Sequence, residues 1–123
     1  MLAKCQLAAF VATTDADKAR EFYEKTLGLK LISDEEYAIV FDANGTTLSI
    51  QKSGEFTPHP FTSLGWHVDD IETAVNELRE RGVAFEQYPW MADDSDSIMT
   101  FPNGAKVAWF KDPDGNLLSL DQY

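Results

Sequence analysis

Apolar and polar residues follow the same series of periods twice along the chain. The first series begins with an apolar run at 5–12, which has the length and composition of a short strand. A helix is predicted next, because Thr14 or Asp15 can cap its start and Gly28 can end it. Apolar positions between these ends recur at helical spacing. They are Ala19, Phe22, Tyr23 and Leu27.

Three strands are predicted to complete this first half, at 29–33, 37–42 and 46–52. The last two are separated by Asn44-Gly45, a pair typical of a tight hairpin turn. Residues 54–61 contain a glycine and two prolines and are predicted to form a linker.

The second half repeats this order. A strand is predicted at 63–68, followed by a helix in which Asp69 and Glu72 form a capping box and which Gly82 ends. The buried stripe of this helix is predicted to contain Ile71, Ala74, Val75 and Leu78. Further strands are predicted at 83–87, 98–101, 105–111 and 116–121, with an irregular acidic loop at 88–97.

The two helix-forming segments align when Asp15 is placed on Asp70, and the glycines that end the two helices then fall within one residue of each other. Such a repeat predicts two modules that bury their faces together. With 123 residues, the chain has the size of one ordinary domain. The predicted fold class is α+β, one domain made of two βαβββ modules at 1–53 and 62–123.

Composition and charge limit the partners. The chain has 44% hydrophobic and 25% charged residues, as globular proteins do, and a formal net charge of −11. This charge argues against nucleic acid and against an anionic membrane surface, and no apolar run is long enough to span a bilayer. We expect a small neutral or cationic ligand. Because Cys5 is the single cysteine, an internal disulfide is impossible and a cytoplasmic location is the simplest expectation.

Three motifs occur in order along nearly the whole chain. They are Asp15…Phe22-Tyr23…Leu27-Gly28, Val68-Asp69-Asp70…Gly82 and Asp112-Pro113-Asp114-Gly115-Asn116. With these motifs the sequence resembles the glyoxalase / bleomycin-resistance / extradiol-dioxygenase superfamily, also called the vicinal oxygen chelate fold. The resemblance implies a curled mixed sheet around a cleft, and a homodimer. It leaves the activity open, since the superfamily contains lyases, isomerases, dioxygenases, thiol transferases and binding proteins.

The resemblance also implies where a divalent metal would be held. Metal enzymes of the family use His, Gln or Glu on the first and last strand of each module, and the matching positions here are Ala8, Ser49, Ser63 and Ser119. Alanine has no donor atom, and a neutral serine hydroxyl is a weak ligand for first-row metals. We therefore expect a member of the family without the usual metal ligands and with no cofactor.

Residue alternation in these four strands independently predicts the faces that line the cleft, because successive side chains of a strand point to opposite sides. Leu7, Ala9 and Val11 are predicted to face the helix. The smaller or more polar residues are predicted to face the cleft: Ala8, Phe10 and Ala12, then Thr47, Ser49 and Gln51, then Ser63, Gly65 and His67, then Leu117, Ser119 and Asp121.

His67 is the strongest candidate for chemistry, either as a general base or as a hydrogen-bonding group for a ligand. The alternative is a partly exposed strand residue that pairs with a neighbouring carboxylate. A metal site made of His67, Gln51 and Asp121 is a weaker hypothesis, since these residues do not occupy the positions of the family's ligands.

Aromatic residues of the second half favour a planar or cationic ligand, through stacking and cation–π contacts. Asp93, Asp94 and Asp96 would add attraction for a cation; alternatively, the rings are core residues and the aspartates a solvated loop. The predicted ligand-binding residues are Phe10, Ser49, Gln51, Ser63, His67, Trp90, Met91, Phe101, Trp109 and Ser119.

Three functions remain open at this point. The first is a metal-independent protein that binds a small aromatic or cationic organic molecule in the cleft between the modules. The second is a metal-dependent lyase or dioxygenase. The third is a metal-free enzyme in which His67 acts as acid or base.

Overall fold

The computed structural model describes residues 1–93 and 95–123, so that Asp94, one of the three loop aspartates, lies outside the described residues. The chain divides into two compact units, Met1–Pro58 and His59–Tyr123. Each unit contains one α-helix and one four-stranded mixed sheet. The predicted α+β class with two βαβββ modules is confirmed. Among the described residues, no helix has the length and apolar character needed to cross a membrane.

The first unit has the strand order β1-β4-β3-β2, in which β1 runs parallel to β4 and the other pairs are antiparallel. Asn44 and Gly45 have φ values of 51° and 96°, which confirms the tight hairpin turn. The elements are β1 (Ala8–Thr13), α1 (Ala16–Glu21), β2 (Lys30–Asp34), β3 (Ala38–Ala43) and β4 (Thr46–Lys52).

The N-terminal segment differs from the prediction. Leu2–Lys4 forms a short 3-10 helix, and the strand predicted from residue 5 begins at Ala8. Leu7 is 76% exposed, so the prediction that it packs under the helix is wrong. The strand starts late because its parallel partner β4 begins at Thr46, and the first pair between the two strands is Ala8 with Thr47.

Helix α1 begins as predicted at Asp15, whose carboxylate accepts a hydrogen bond from the Lys18 N–H at 3.2 Å. Its continuation, Phe22–Thr26, is π-helical rather than α-helical. Ala19 and Tyr23 are fully buried, in agreement with the predicted apolar stripe.

The second unit has the order β5-β8-β7-β6, and here β5 is parallel to β8. Helix α2 contacts β7 and β8 and buries Ile71 and Val75 completely. The elements are β5 (Leu64–His67), α2 (Ile71–Glu80), β6 (Ile98–Thr100), β7 (Lys106–Lys111) and β8 (Leu117–Gln122).

The cap of α2 lies one residue later than predicted. Asp70, and not Asp69, is the N-cap, and its carboxylate accepts hydrogen bonds from the backbone N–H and the hydroxyl of Thr73 at 3.2 and 3.0 Å. The predicted Asp69–Glu72 capping box is therefore wrong. At the N-cap, the Asp70 carboxylate can accept from both the N–H and the hydroxyl of Thr73, the third residue of the helix. A carboxylate at position 69 would lie one residue too far from these two donors.

The strand predicted at 83–87 is also wrong. Its pairing with β7 consists of a β-bridge between Phe85 and Phe110 and a hydrogen bond from the Glu86 N–H to the Trp109 carbonyl at 2.8 Å. A longer ladder between this segment and β7 does not form, because β6 already pairs with β7 from Lys106 to Ala108. The outer edge of β7 thus has room for only a short contact.

Candidate functional site

His67 and Asp121 form a hydrogen-bonded pair on the sheet of the second unit. They lie opposite each other where β5 runs parallel to β8, and His67 Nδ1 contacts Asp121 Oδ1. The His67 side chain is 79% exposed and the Asp121 side chain 16% exposed. A carboxylate that accepts from Nδ1–H leaves Nε2 as the free, outward nitrogen, which can accept a proton or a ligand hydrogen bond. The predicted alternative, a strand histidine paired with a carboxylate, describes this geometry.

Tyr123 lies beside this pair, with its ring centroid 5.5 Å from that of His67. The imidazole is thus oriented from one side by a carboxylate and contacted from another by an aromatic ring. An oriented imidazole at the surface is suited to acid–base chemistry or to holding a polar ligand group.

The four positions of the family's metal ligands do not fit a metal. Ala8 lies on β1 and Ser49 on β4, while Ser63 directly precedes β5 and Ser119 lies on β8. Their side chains supply one methyl group and three neutral hydroxyls, which bind first-row metals weakly. Within 1–93 and 95–123, no three His, Cys, Asp or Glu side chains are grouped so that they could hold an ion.

Ser119 is buried in a close contact with the neighbouring strand. It is 6% exposed and pairs with Gly65, and a Cβ atom at Gly65 would lie 2.8 Å from its Oγ. The glycine therefore makes room for this hydroxyl, and Ser119 is a packed residue rather than an open ligand position. The equivalent pair of the first unit is Phe10 with Ser49, where Phe10 is 57% exposed.

Three aromatic rings of the second unit form a cluster, hereafter the aromatic cluster, of Tyr88, Trp90 and Trp109. Tyr88 and Trp90 are stacked, with centroids 5.3 Å apart and an interplanar angle of 11°. Trp109 meets both rings edge-on, at 5.8 Å from Tyr88 and 5.7 Å from Trp90. Trp90 nevertheless remains 59% exposed. The cluster thus holds a large, accessible indole in a fixed orientation.

Polar groups position this cluster from its edges. Trp109 Nε1–H donates to the hydroxyl of Thr62 at 3.2 Å. Burial raises the pKa of the Tyr88 phenol, and the negative charge of Glu86 raises it further, while Lys111 opposes this. Tyr88 therefore stays protonated at neutral pH, as a neutral ring with a hydroxyl donor.

A separate pocket of about 530 Å³ lies in the same unit, between the start of α2, the loop before β6, and strands β6 and β7. Among the described residues, its wall combines aromatic and thioether groups with charged and hydroxyl groups. The lining residues are Glu72, Trp90, Met91, Ala92, Ser95, Asp96, Ile98, Met99, Thr100 and Lys106.

The remaining predicted ligand residues are distributed over both units. Ser49 is half-buried on β4, where it pairs with Phe10, and Gln51 is exposed on the same strand. Met91 is only 7% exposed and lines the pocket. Phe101 lies in the turn between β6 and β7, where its N–H donates to the Ala105 carbonyl at 2.8 Å. Ser63 donates its N–H to the Leu117 carbonyl, also at 2.8 Å.

The sequence analysis did not find Tyr88, Thr62 or the charged walls of the pocket. Tyr88 lies two residues before Trp90, and this aromatic spacing in a loop is a signal that could have indicated stacking. Lys106 and Glu72 carry no such signal, since they come together only through the packing of α2 against β7.

The model of the Glyoxalase/Bleomycin resistance protein/Dioxygenase superfamily matches residues 6–120. The uncharacterized protein YraH of Bacillus subtilis (strain 168) is 30% identical over 122 residues, covering 86% of this chain and 88% of YraH.

Solved structures give the same architecture. A lactoylglutathione lyase from Agrobacterium tumefaciens superposes with a TM-score of 0.76 at 15% identity, covering 97% of this chain and 93% of the lyase; this likeness concerns the fold alone. TnmS3, an antibiotic binding protein from Streptomyces sp. CB03234, has a TM-score of 0.70 at 26% identity and covers 99% of this chain and 98% of its own. With the family model matched over nearly its full length, this chain belongs to the glyoxalase/bleomycin resistance protein/dioxygenase superfamily.

Proposed function

We propose that this protein binds a small aromatic or cationic organic molecule on the aromatic cluster, without a metal. The observation that carries this proposal is the exposed indole of Trp90, held by stacking on Tyr88 and by the edge of Trp109. A planar ligand can stack on such a ring with little loss of side-chain entropy, since the ring is already oriented.

Charge favours a cationic ligand over an anionic one. The chain has a net charge of −11, which attracts cations over the range of the local Debye length. The faces of two tryptophans and a tyrosine are attractive to a cation through their quadrupoles. A planar aromatic cation satisfies both preferences.

Two further observations support the proposal. The residues at the four metal-ligand positions are one alanine and three serines, which supports binding without a metal. TnmS3, the structural relative with 26% identity, is an antibiotic binding protein. The prediction that the ligand lies in a cleft between the two modules stays a prediction.

The test uses 1-methylquinolinium, a planar aromatic cation, with neutral quinoline as its isostere. Quenching of tryptophan fluorescence is titrated in Trp66→Phe, which keeps only Trp90 and Trp109 and removes the indole on the helix-facing side of β5. In this background, Trp90→Ala and Tyr88→Ala should each weaken binding by about tenfold, since a stacked ring contributes roughly 1 kcal/mol beyond its buried area. Quinoline should bind more weakly than the cation.

Chelation provides the second arm of the experiment. The affinity for 1-methylquinolinium in the presence of EDTA should equal the affinity in its absence. If affinity were kept in both Trp90→Ala and Trp109→Ala proteins, the aromatic cluster would not be the site. If one metal per chain were required, the metal-dependent lyase or dioxygenase would replace the proposal.

A second candidate function is favoured by the contact between His67 Nδ1 and Asp121. This pair could make the protein a metal-free enzyme that moves a proton with His67 Nε2. Any turnover found in a screen for lyase or isomerase activity should then fall strongly in His67→Ala and less in Asp121→Asn, which keeps the shape of the partner. Full turnover in His67→Ala would eliminate this role.

A further inference from the structure

The pocket of the second unit lies on the opposite side of the sheet from Trp109. Ile98 pairs with Ala108 and Thr100 pairs with Lys106, so these four residues share the face of the sheet on which Ala108 is fully buried and α2 packs. Trp109, an odd-numbered neighbour on β7, points to the other face. The pocket and the aromatic cluster therefore share Trp90 at their edge but are otherwise separate.

Two complementary charges in the pocket wall form no ion pair with any residue that the structure describes. Lys106 is half-buried, and no carboxylate among the described residues lies within 4 Å of its ammonium group. Glu72, in the first turn of α2, likewise forms no ion pair with the residues described. Asp96 is different, because its carboxylate is bound by Arg79 at 2.7 Å. Among the described residues, the wall thus offers one cation and one exposed anion that form no ion pair within 4 Å, although Lys106 still attracts the Asp70 carboxylate at longer range and helps to lower its pKa.

We propose that this pocket binds a zwitterionic amino acid with an apolar side chain. Lys106 binds its carboxylate and Glu72 binds its ammonium group, while Trp90, Met91 and Ile98 contact the side chain. A ligand with both charges satisfies both wall groups and adds no net charge to a protein of −11, whereas a simple anion would be repelled. The volume of about 530 Å³ falls in the range of small-molecule sites, roughly 300–1,000 Å³.

Hydrogen bonds hold the described rim residues Ala92, Asp96 and Ser97 in place before any ligand arrives. Arg79 binds both the carboxylate and the carbonyl of Asp96, at 2.7 and 3.1 Å. Gln87 donates to the Ala92 carbonyl and accepts from the Ser97 hydroxyl. Asp96 and Ser97 have φ values of 56° and 64°, a conformation that non-glycine residues adopt only when their surroundings impose it. A wall ordered in this way loses little entropy on binding.

The experiment titrates L-phenylalanine into the intact protein, with amide chemical shifts of Glu72, Thr100 and Lys106 as the readout. Lys106→Met and Glu72→Gln should each weaken binding by about tenfold, as expected for loss of a charged hydrogen bond. The matched controls are Lys111→Met, on the same strand but facing the other side, and Glu77→Gln, on the same helix. Both controls should bind phenylalanine as the unchanged protein does.

Analogues assign each charge to its partner. Phenylalaninamide lacks the carboxylate, so it should bind weakly and lose nothing further in Lys106→Met. N-acetyl-L-phenylalanine lacks the ammonium group and should be equally insensitive to Glu72→Gln. The absence of saturable binding of L-phenylalanine, or equal losses in Lys106→Met and Lys111→Met, would overturn the proposal.

This inference shares Trp90 with the aromatic cluster but uses neither Tyr88 nor Trp109. Lys106→Met should keep the affinity for 1-methylquinolinium while it loses phenylalanine. If the protein bound 1-methylquinolinium but not L-phenylalanine, only the amino-acid site would be rejected; the reverse result would reject only the cluster.

Discussion

The two units have the same architecture but very different surfaces. In both, a strand leads to a helix capped by an aspartate, Asp15 or Asp70, and the first strand pairs in parallel with the last. The corresponding cross-strand pairs are Phe10 with Ser49 and Gly65 with Ser119. Yet the oriented histidine, the aromatic cluster and the pocket all lie in the second unit.

Part of this difference comes from the connection that follows each helix. In the first unit residues 22–29 join α1 to β2, whereas in the second the longer segment 81–97 joins α2 to β6. That longer segment supplies Tyr88 and Trp90 and the loop that forms the rim of the pocket. One repeated scaffold can therefore form the same fold in both halves while a longer connection in one half adds surface features that the other half lacks.

The largest expected effect tests whether the two cores are equivalent. Phe41 and Phe110 are fully buried, one in each unit. Truncation of either ring to alanine should cost about 3–5 kcal/mol of unfolding free energy, measured by urea denaturation followed by circular dichroism. Tyr37→Ala, at a ring that is 76% exposed, serves as the control. A loss below about 1 kcal/mol in one unit alone would show that its core is not packed as described.

A smaller loss of stability is expected at the Gly65–Ser119 pair, which corresponds to the Phe10–Ser49 pair of the first unit. Gly65→Ala places a methyl group 2.8 Å from Ser119 Oγ and should destabilise the protein by about 1–3 kcal/mol. The double variant Gly65→Ala/Ser119→Gly should recover most of this loss, because the obstructing hydroxyl is gone. Gly54→Ala, with open space around the added methyl, should change little. Failure of the double variant to recover stability would contradict the close contact.

The ion pairs that an arginine of each helix makes should also differ in their effects. Arg79→Ala should cost about 1 kcal/mol or less globally, as exposed ion pairs do, but should speed amide exchange at Ser97 and Ile98. Arg20→Ala in the first unit should have a smaller effect, because Asp34 keeps Lys52 at 2.6 Å. Hydrogen exchange by mass spectrometry measures both. Equal protection of Ser97 in the two variants would show that Arg79 does not hold the rim.

The smallest effect concerns the helix caps and pH. The backbone hydrogen bond from Thr73, with its side-chain hydrogen bond second, lowers the pKa of Asp70 below its ordinary value of 3.8. A lowered folded-state pKa gives stabilisation that is present above the unfolded value and is lost as pH falls through the folded value. The melting-temperature advantage of the unchanged protein over Asp70→Asn should therefore shrink below pH 3.8. A constant difference across that range would contradict this assignment.

Local signals predicted most of the fold. Asp15 before the first helix, the glycine after each helix and the Asn44-Gly45 turn each act through contacts within a few residues, so the chain encodes them locally. The segment at 83–87 has the composition of a strand, but pairing needs a free edge, and β6 had taken that edge of β7. Whether 83–87 forms a strand thus depends on competition with β6 for the edge of β7, which a local residue pattern cannot predict.

The candidate site divides in the same way. Residue alternation predicted that His67 and Asp121 would both face away from the helix, and the parallel pairing of β5 with β8 placed them opposite each other. The tryptophans were found as residue types suited to a ligand, but their stacking with Tyr88 depends on the path of the loop.

The sequence by itself determined the family and the two-module architecture, since these depend on residue identity and periodicity at matched positions. Only the tertiary structure decided that Lys106 and Glu72 share one pocket and that Trp90 stands exposed at its edge. The physical reason is that helix and strand periods are set by near neighbours, whereas a binding surface is made by side chains far apart in the chain, brought together by packing and by edge pairing.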